Sequence, residues 1–172
     1  MKKKLIIIGG GAAGFFAAAN LARENLDITI LEATDEIMRK IIISGGGRCN
    51  VTHACFDPTE LITYYPRGNK ELLSPFMKYA CGDTMDWFSK RGVELKIEED
   101  GRIFPITDDS NTIANCLYRN SIDRGVKLLK KTKVDRIEYH GEQGYTIHTN
   151  QGVHEANFIL IATGSNVSMW KV

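Results

Sequence analysis

The chain has 172 residues, 43% of them hydrophobic and 25% charged, with a formal net charge of +1. That is enough apolar material for one sizeable core, and the near-neutral balance gives no general electrostatic reason to expect a nucleic acid or an anionic membrane as partner. No apolar run approaches the roughly 18 residues that a membrane-spanning helix needs.

Met1-Lys2-Lys3-Lys4 followed by apolar residues has the look of a secretory leader, but three consecutive glycines at 9–11 interrupt the apolar stretch and argue against one. The run Leu5-Ile6-Ile7-Ile8 predicts a strand buried on both faces, and Ala12 to Arg23 predicts a helix. Between them lies Gly-x-Gly-x-x-Gly. Gly9 permits the tight turn, Gly11 lets the backbone approach a pyrophosphate, and Gly14 lets the helix pack close to the strand. Negative charge on the ligand then meets the free N–H groups and positive dipole end of the helix. The next strand, Asp27 to Glu32, ends in an acid placed to accept hydrogen bonds from ribose hydroxyls. No Gly-Lys-Ser/Thr follows the glycines, which excludes a Walker phosphate loop.

Residues 33–58 show little periodicity but contain Arg39-Lys40 and Ser44-Gly45-Gly46-Gly47-Arg48-Cys49-Asn50. So long an irregular stretch in a compact domain is functional or disordered; here its glycines free backbone N–H groups and its cations supply positive charge for the same dinucleotide. Cys49, His53 and Cys55 lack the paired spacing and the fourth ligand of a structural zinc site, so no metal is expected. The four cysteines, Cys49, Cys55, Cys81 and Cys116, have no pairing pattern and read as reduced thiols of a cytoplasmic protein, with Cys49 buried and inert rather than redox-active.

Two amphipathic helices are predicted over Asn69 to Ala80 and Asp83 to Arg91, burying Leu72, Leu73, Phe76, Tyr79, Met85, Trp87 and Phe88. His53, Tyr64 and Tyr65 read as structural. A hairpin of Val93 to Glu98 and Arg102 to Phe104 turns at Asp100-Gly101 and stops at Pro105. Asp109-Ser110 cap a helix from Asn111 to Asp123, and Val126 to Leu129 rejoins the main sheet. The basic stretch from Lys127 to Lys133 reads as solvated. Val134 to Tyr139, Tyr145 to Thr149 and Val153 to Glu155 form an antiparallel meander. Phe158 to Ala162 reads as a strand buried on both faces, returning the chain to the cofactor edge at Thr163-Gly164. Ser168 to Val172 reads as the start of a helix.

This order of elements resembles the two-dinucleotide-binding flavoproteins. Within them, the stretch from Arg39 to Thr52 and Gly101-Arg102-Ile103-Phe104-Pro105 resemble the BaiN/YhiN-like family of aminoacetone-oxidase-like FAD-binding enzymes. The resemblance implies an α/β Rossmann-like FAD/NAD(P)-binding domain with a central parallel sheet, helices on its faces and a small meander. It implies FAD pyrophosphate on the turn of Gly9, Gly11, Ala12, Ala13 and Gly14, and adenosine ribose on Glu32. Arg39, Lys40 and Ser44 to Asn50 then lie along the cofactor, the Val134 backbone by the adenine, and Ala162-Thr163-Gly164 beside the flavin arm. Met38 and Ser165 depart from the family, each standing where a glycine is usual.

The resemblance further implies hydride transfer through FAD, with a small-molecule substrate and NAD(P)H as the candidate electron donor; on the near-neutral charge, no nucleic acid or membrane partner is expected. Family members are about twice as long as this chain. Residues 1–172 are therefore expected to be an incomplete FAD-binding domain lacking the substrate domain and the carboxyl-terminal segment that completes the flavin site. The alternatives are a non-catalytic remnant and an NAD-only dehydrogenase domain. No catalytic acid or base is evident in these residues, and the sequence does not give the oligomeric state.

Overall fold

The computed structural model describes residues 2–22 and 25–165. In chain order its elements are β1 (Lys3–Ile8), α1 (Ala12–Leu21), β2 (Leu26–Leu31), α2 (Arg39–Ile43) and β3 (Thr52–His53). They continue with α3 (Pro58–Leu61), α4 (Asn69–Phe76), α5 (Cys81–Ser89), β4 (Leu95–Ile97), β5 (Arg102–Pro105) and α6 (Ser110–Ile122). The last are β6 (Lys127–Leu129), β7 (Val134–Tyr139), β8 (Tyr145–Thr149), β9 (Gly152–Ala156) and β10 (Phe158–Ile161). The chain forms two compact units, residues 1–41 with 117–172, and residues 42–116.

The first unit is built on a parallel sheet in the order β10-β1-β2-β6. Leu5 and Ile7 of β1 lie opposite Ile28 and Ile30 of β2, and all four are buried on the face toward α1, where Gly14 comes against Ile7. Phe15, Ala18 and Ala19 are the buried stripe of α1, at the spacing that brings residues to one helix face. Ser121 of α6 is fully buried; its hydroxyl lies 3.1 Å from the Phe15 carbonyl oxygen and 3.0 Å from that of Leu117. On the other face, Ile6, Ile8 and Leu31 pack against Ile147 and Ala156 of the meander β7-β8-β9. The sheet is therefore covered by helix on one side and by the antiparallel meander on the other.

The second unit carries the antiparallel sheet β3-β5-β4, with Ile103 and Phe104 of β5 fully buried. A separate apolar cluster joins Cys55, Leu61 and Cys81, with Phe76 packed against it.

Several boundaries differ from the sequence reading for physical reasons. The stretch 33–58 is not wholly irregular, since it contains α2 and β3. α5 begins at Cys81 because the Asp83 carboxylate accepts the Ala80 N–H at 2.8 Å and caps a turn two residues earlier. α4 ends at Phe76, four residues short of the expected Ala80. Tyr79 is not buried but 39% exposed, whereas Trp87 and Phe88 are in the core. The correction that matters most is β10: paired on one side only, with β1, it leaves Phe158 52% and Ile161 54% exposed. Among the described residues it is an edge strand, not a central one. Arg23, expected near the end of the first helix, and the helical start expected at Ser168 to Val172 lie outside the described residues.

Candidate functional site

The turn after β1 brings together the carboxyl ends of three strands. The Gly9 N–H donates to the Leu31 carbonyl at 2.8 Å, and the Ala162 N–H donates to the Ile8 carbonyl at 2.8 Å. Gly9 has φ +113°, and a Cβ there would overlap the Ala162 carbonyl. A Cβ on Gly14 would overlap the Gly9 carbonyl. Both positions are closed to side chains by backbone already in place. Gly11 is the opposite case: its φ is −88°, and a Cβ would have no atom within 4 Å. It is the N-cap of α1, and no side chain caps the helix. The first-turn N–H groups, those of Ala12 and Ala13 among them, thus face open space at the positive end of a ten-residue helix.

Glu32 stands one residue past β2. Its Oε2 accepts the Gly10 N–H at 2.8 Å, and its Oε1 accepts the Thr34 N–H at 2.8 Å and lies 2.9 Å from the Thr34 hydroxyl. That hydroxyl also lies 2.8 Å from the Glu36 carbonyl, and its one proton serves one of the two. A carboxylate has about four acceptor positions, so Glu32 retains two for a diol when the Thr34 proton goes to Glu36. Gly10 and Thr34 were not among the expected site residues. Both act chiefly through main-chain N–H groups, which no residue type advertises.

Met38 closes the same turn from the other side, donating its N–H to the Gly10 carbonyl at 2.8 Å. Its φ is +52°, the left-handed region that favours glycine, and its side chain is buried. Lys40 extends to the end of β10, where its Nζ lies 2.6 Å from the Ser165 hydroxyl and close to Gly164. Arg39 points into solvent and pairs with Glu36 at 3.6 Å. Val134 opens β7, two residues beyond Thr132, whose N–H donates to the Glu32 carbonyl at 2.8 Å. Gly9, Gly11, Ala12, Ala13, Gly14, Glu32, Lys40, Val134, Ala162, Thr163 and Gly164 therefore gather at one end of the sheet, where α/β folds hold their ligands.

The remaining candidates belong to the second unit. Gly45, Gly46 and Gly47 have φ of +57°, +68° and +88°, and Cys49 follows at +64°. Gly45 is held against Phe104 and the Asn50 N–H, while Gly46 and Gly47 have open space on their Cβ side. The Arg48 guanidinium lies 4.0 Å from the centre of the Phe104 ring and pairs with Glu98 at 2.5 Å and Asp108 at 3.5 Å, so its charge is matched within the unit. Lys96 also pairs with Asp108, and its hydrogen bond is the main reason that carboxyl sits below its ordinary range. Cys49 is buried, and burial raises its thiol above the ordinary value while a hydrogen bond with Ser44 opposes this. Among the described residues, no three His, Cys, Asp or Glu side chains are arranged to hold a metal ion. Nor is any helix there long and apolar enough to cross a membrane.

The chain is 29% identical to the ribosomal RNA dihydrouridine synthase of Haemophilus influenzae over 87% of its own length and 37% of the relative's. It is 27% identical to the 3-dehydro-bile acid delta(4,6)-reductase of Clostridium scindens over 88% of its length and 36% of that protein's. It spans little more than a third of either relative. In fold it is similar to the solved structure of THI4 from Thermovibrio ammonificans, with a TM-score of 0.62 at 14% identity, covering 99% of this chain and 62% of that one. It is also similar in fold to the solved structure of glycine oxidase from Geobacillus kaustophilus, with a TM-score of 0.51 at 15% identity, covering 95% of this chain and 56% of that one. Residues 3–171 match the HI0933-like protein Rossmann domain, and the chain belongs to that family.

Proposed function

We propose that the chain is the FAD-binding part of a flavin-dependent oxidoreductase. The observation that carries this reading is the open cradle at Gly11, with an uncapped helix end on one side and an oriented carboxylate with two acceptor positions left on the other. Such a cradle suits a pyrophosphate on the α1 N–H groups and a ribose diol on Glu32. Lys40 and the Ala162-Thr163-Gly164 end of β10 would flank the flavin arm, the Val134 backbone would meet the adenine, and Arg39 would remain in solvent near the phosphates. The bound cofactor supplies acceptance and delivery of a hydride, with NAD(P)H as donor, while the protein supplies binding and orientation.

The relatives' names divide between ribosomal RNA and a bile acid as substrate. A surface of the second unit, with exposed aromatic rings among unpaired cations, favours RNA for this chain.

The test of the flavin reading is the visible spectrum of the purified chain before and after addition of FAD. Gly11→Val is the informative variant, since the backbone at −88° accepts valine and nothing crowds its Cβ, so the fold survives while the cradle is filled. The expected result is a bound oxidised-flavin spectrum in the wild type and FAD affinity at least tenfold weaker in Gly11→Val. A wild type that binds NADH but not FAD would identify an NAD-only domain. One that binds neither would leave a remnant without cofactor.

A further inference from the structure

We infer that the segment from Tyr64 to Tyr79 in the second unit is a docking surface for single-stranded RNA. The argument begins with the unit's cations. Five of them are engaged: Arg48 with Glu98, Lys90 with Asp86, Lys96 with Asp108, Arg102 with Asp100, and Arg91 over the Trp87 ring at 3.7 Å. Arg67, Lys70 and Lys78 are exposed and, among the described residues, have neither a carboxylate partner nor a ring partner. Residues 62–79 contain one carboxylate, Glu71, against these three positive charges.

The same segment carries aromatic rings that the fold leaves in solvent. Tyr64 is 64% exposed, and Tyr65 and Tyr79 are also exposed. The segment is not loose chain, because the Tyr65 ring packs 5.5 Å from that of Phe76, which is itself anchored on the Cys55–Leu61–Cys81 cluster. Tyr64 lies 6.2 Å from the His53 ring, leaving its outer face free. A protein interior would have taken these rings in and left the lysines alone. Rings held on a firm base with unpaired cations between them are what unstacked bases and a phosphate backbone require. A buried apolar partner would gain from the rings but would strand Arg67, Lys70 and Lys78 without counter-charge. RNA satisfies both.

This inference rests on the RNA reading above and not on occupancy of the flavin cradle. The probe is a fluorescein-labelled single-stranded 12-nucleotide RNA rich in uridine, titrated with the full chain and followed by anisotropy at several salt concentrations. Tyr64→Ala is expected to weaken binding about tenfold and Tyr64→Phe to preserve it, because the ring and not the hydroxyl stacks. The triple variant Arg67→Gln/Lys70→Gln/Lys78→Gln should reduce the slope of log K against log salt by about two, the loss of three single-strand phosphate contacts. All these side chains are exposed, and circular dichroism confirms that each variant folds. The inference is overturned if the wild type does not bind at 50 mM salt, if a duplex of the same sequence binds as tightly, or if both variants bind like the wild type. The last result would place the contact elsewhere, such as Lys2 to Lys4. FAD binding read by absorbance on the same preparation separates the two proposals: RNA binding without flavin uptake sinks the flavin reading alone, and the converse sinks this one alone.

Discussion

Met38 condenses the tension between local conformation and packing in the turn after β1. Its backbone lies at φ +52°, a region costly for any residue with a Cβ, yet its side chain is only 3% exposed and its N–H closes the turn on Gly10. Glycine, the residue usual here in the family it resembles, would relieve the backbone and forfeit the packing. Both Met38→Gly and Met38→Ala lose the buried side chain, a loss of about 2 kcal/mol or more. Only alanine keeps the strain as well. Met38→Gly is therefore expected to be about 1 kcal/mol more stable than Met38→Ala, measured as the difference in urea unfolding free energy. Equal stabilities would show that position 38 relaxes out of the left-handed region in solution. Other residues of the site could be read directly, because Gly9, Gly11, Gly14 and Glu32 are fixed by spacing along one strand-turn-helix-strand unit. The roles of Gly10 and Thr34 could not, since each is a main-chain donor whose value lies in where the Glu32 carboxylate ends up.

At the level of elements, the loop from Ser44 to Asn50 depends on β4 and β5 more than its own sequence discloses. Arg48 stacks on Phe104 and pairs with Glu98 and Asp108, residues 50 to 60 positions further along the chain. Sequence alone placed the glycines and the positive charge, but a charge read in isolation looks available for a ligand. Only the fold brings the carboxylates that match it. This network gives the second unit a pH dependence through Asp108. Its carboxyl is lowered, first by the hydrogen bond from Lys96 and also by the charges of Lys96 and Arg48, with burial opposing. A group depressed in the folded state contributes stability that is complete above its unfolded value near 4, and loses it as pH falls through the folded value. Thermal melts should therefore show the melting temperature falling below about pH 4, with a shallower fall in Asp108→Asn and a lower plateau at pH 7. Parallel acid limbs in wild type and variant would show that Asp108 is not paired in solution. The same limits on sequence reading apply to α5, whose start at Cys81 depends on one side-chain cap, and to Tyr79, whose place in an apolar periodicity did not bury it.

For the whole molecule, the deciding feature is the open side of β10. Phe158-Ile159-Leu160-Ile161 is an unbroken apolar run, and from sequence such a run belongs equally to a central strand or an edge. Pairing decides between them, and among the described residues β10 meets β1 alone. Natural edge strands are commonly blunted by charge, proline or a bulge, and the four residues of β10 contain neither a charge nor a proline. Phe158 and Ile161 add exposed apolar surface at its two ends. Unpaired N–H and C=O groups beside such side chains are a template for another strand, and in a solution of this chain the strand at hand is β10 of a second copy. Sedimentation velocity at increasing concentration is expected to show association of the purified chain. Ile161→Lys, which places a charge on the exposed end of the strand, should restore a monomer at the same concentrations. The substitution falls at a side chain already 54% exposed, so the unfolding free energy should change by less than about 0.5 kcal/mol. A wild type that stays monomeric throughout, or a variant that associates as strongly, would show that the edge of β10 is not the surface through which copies meet.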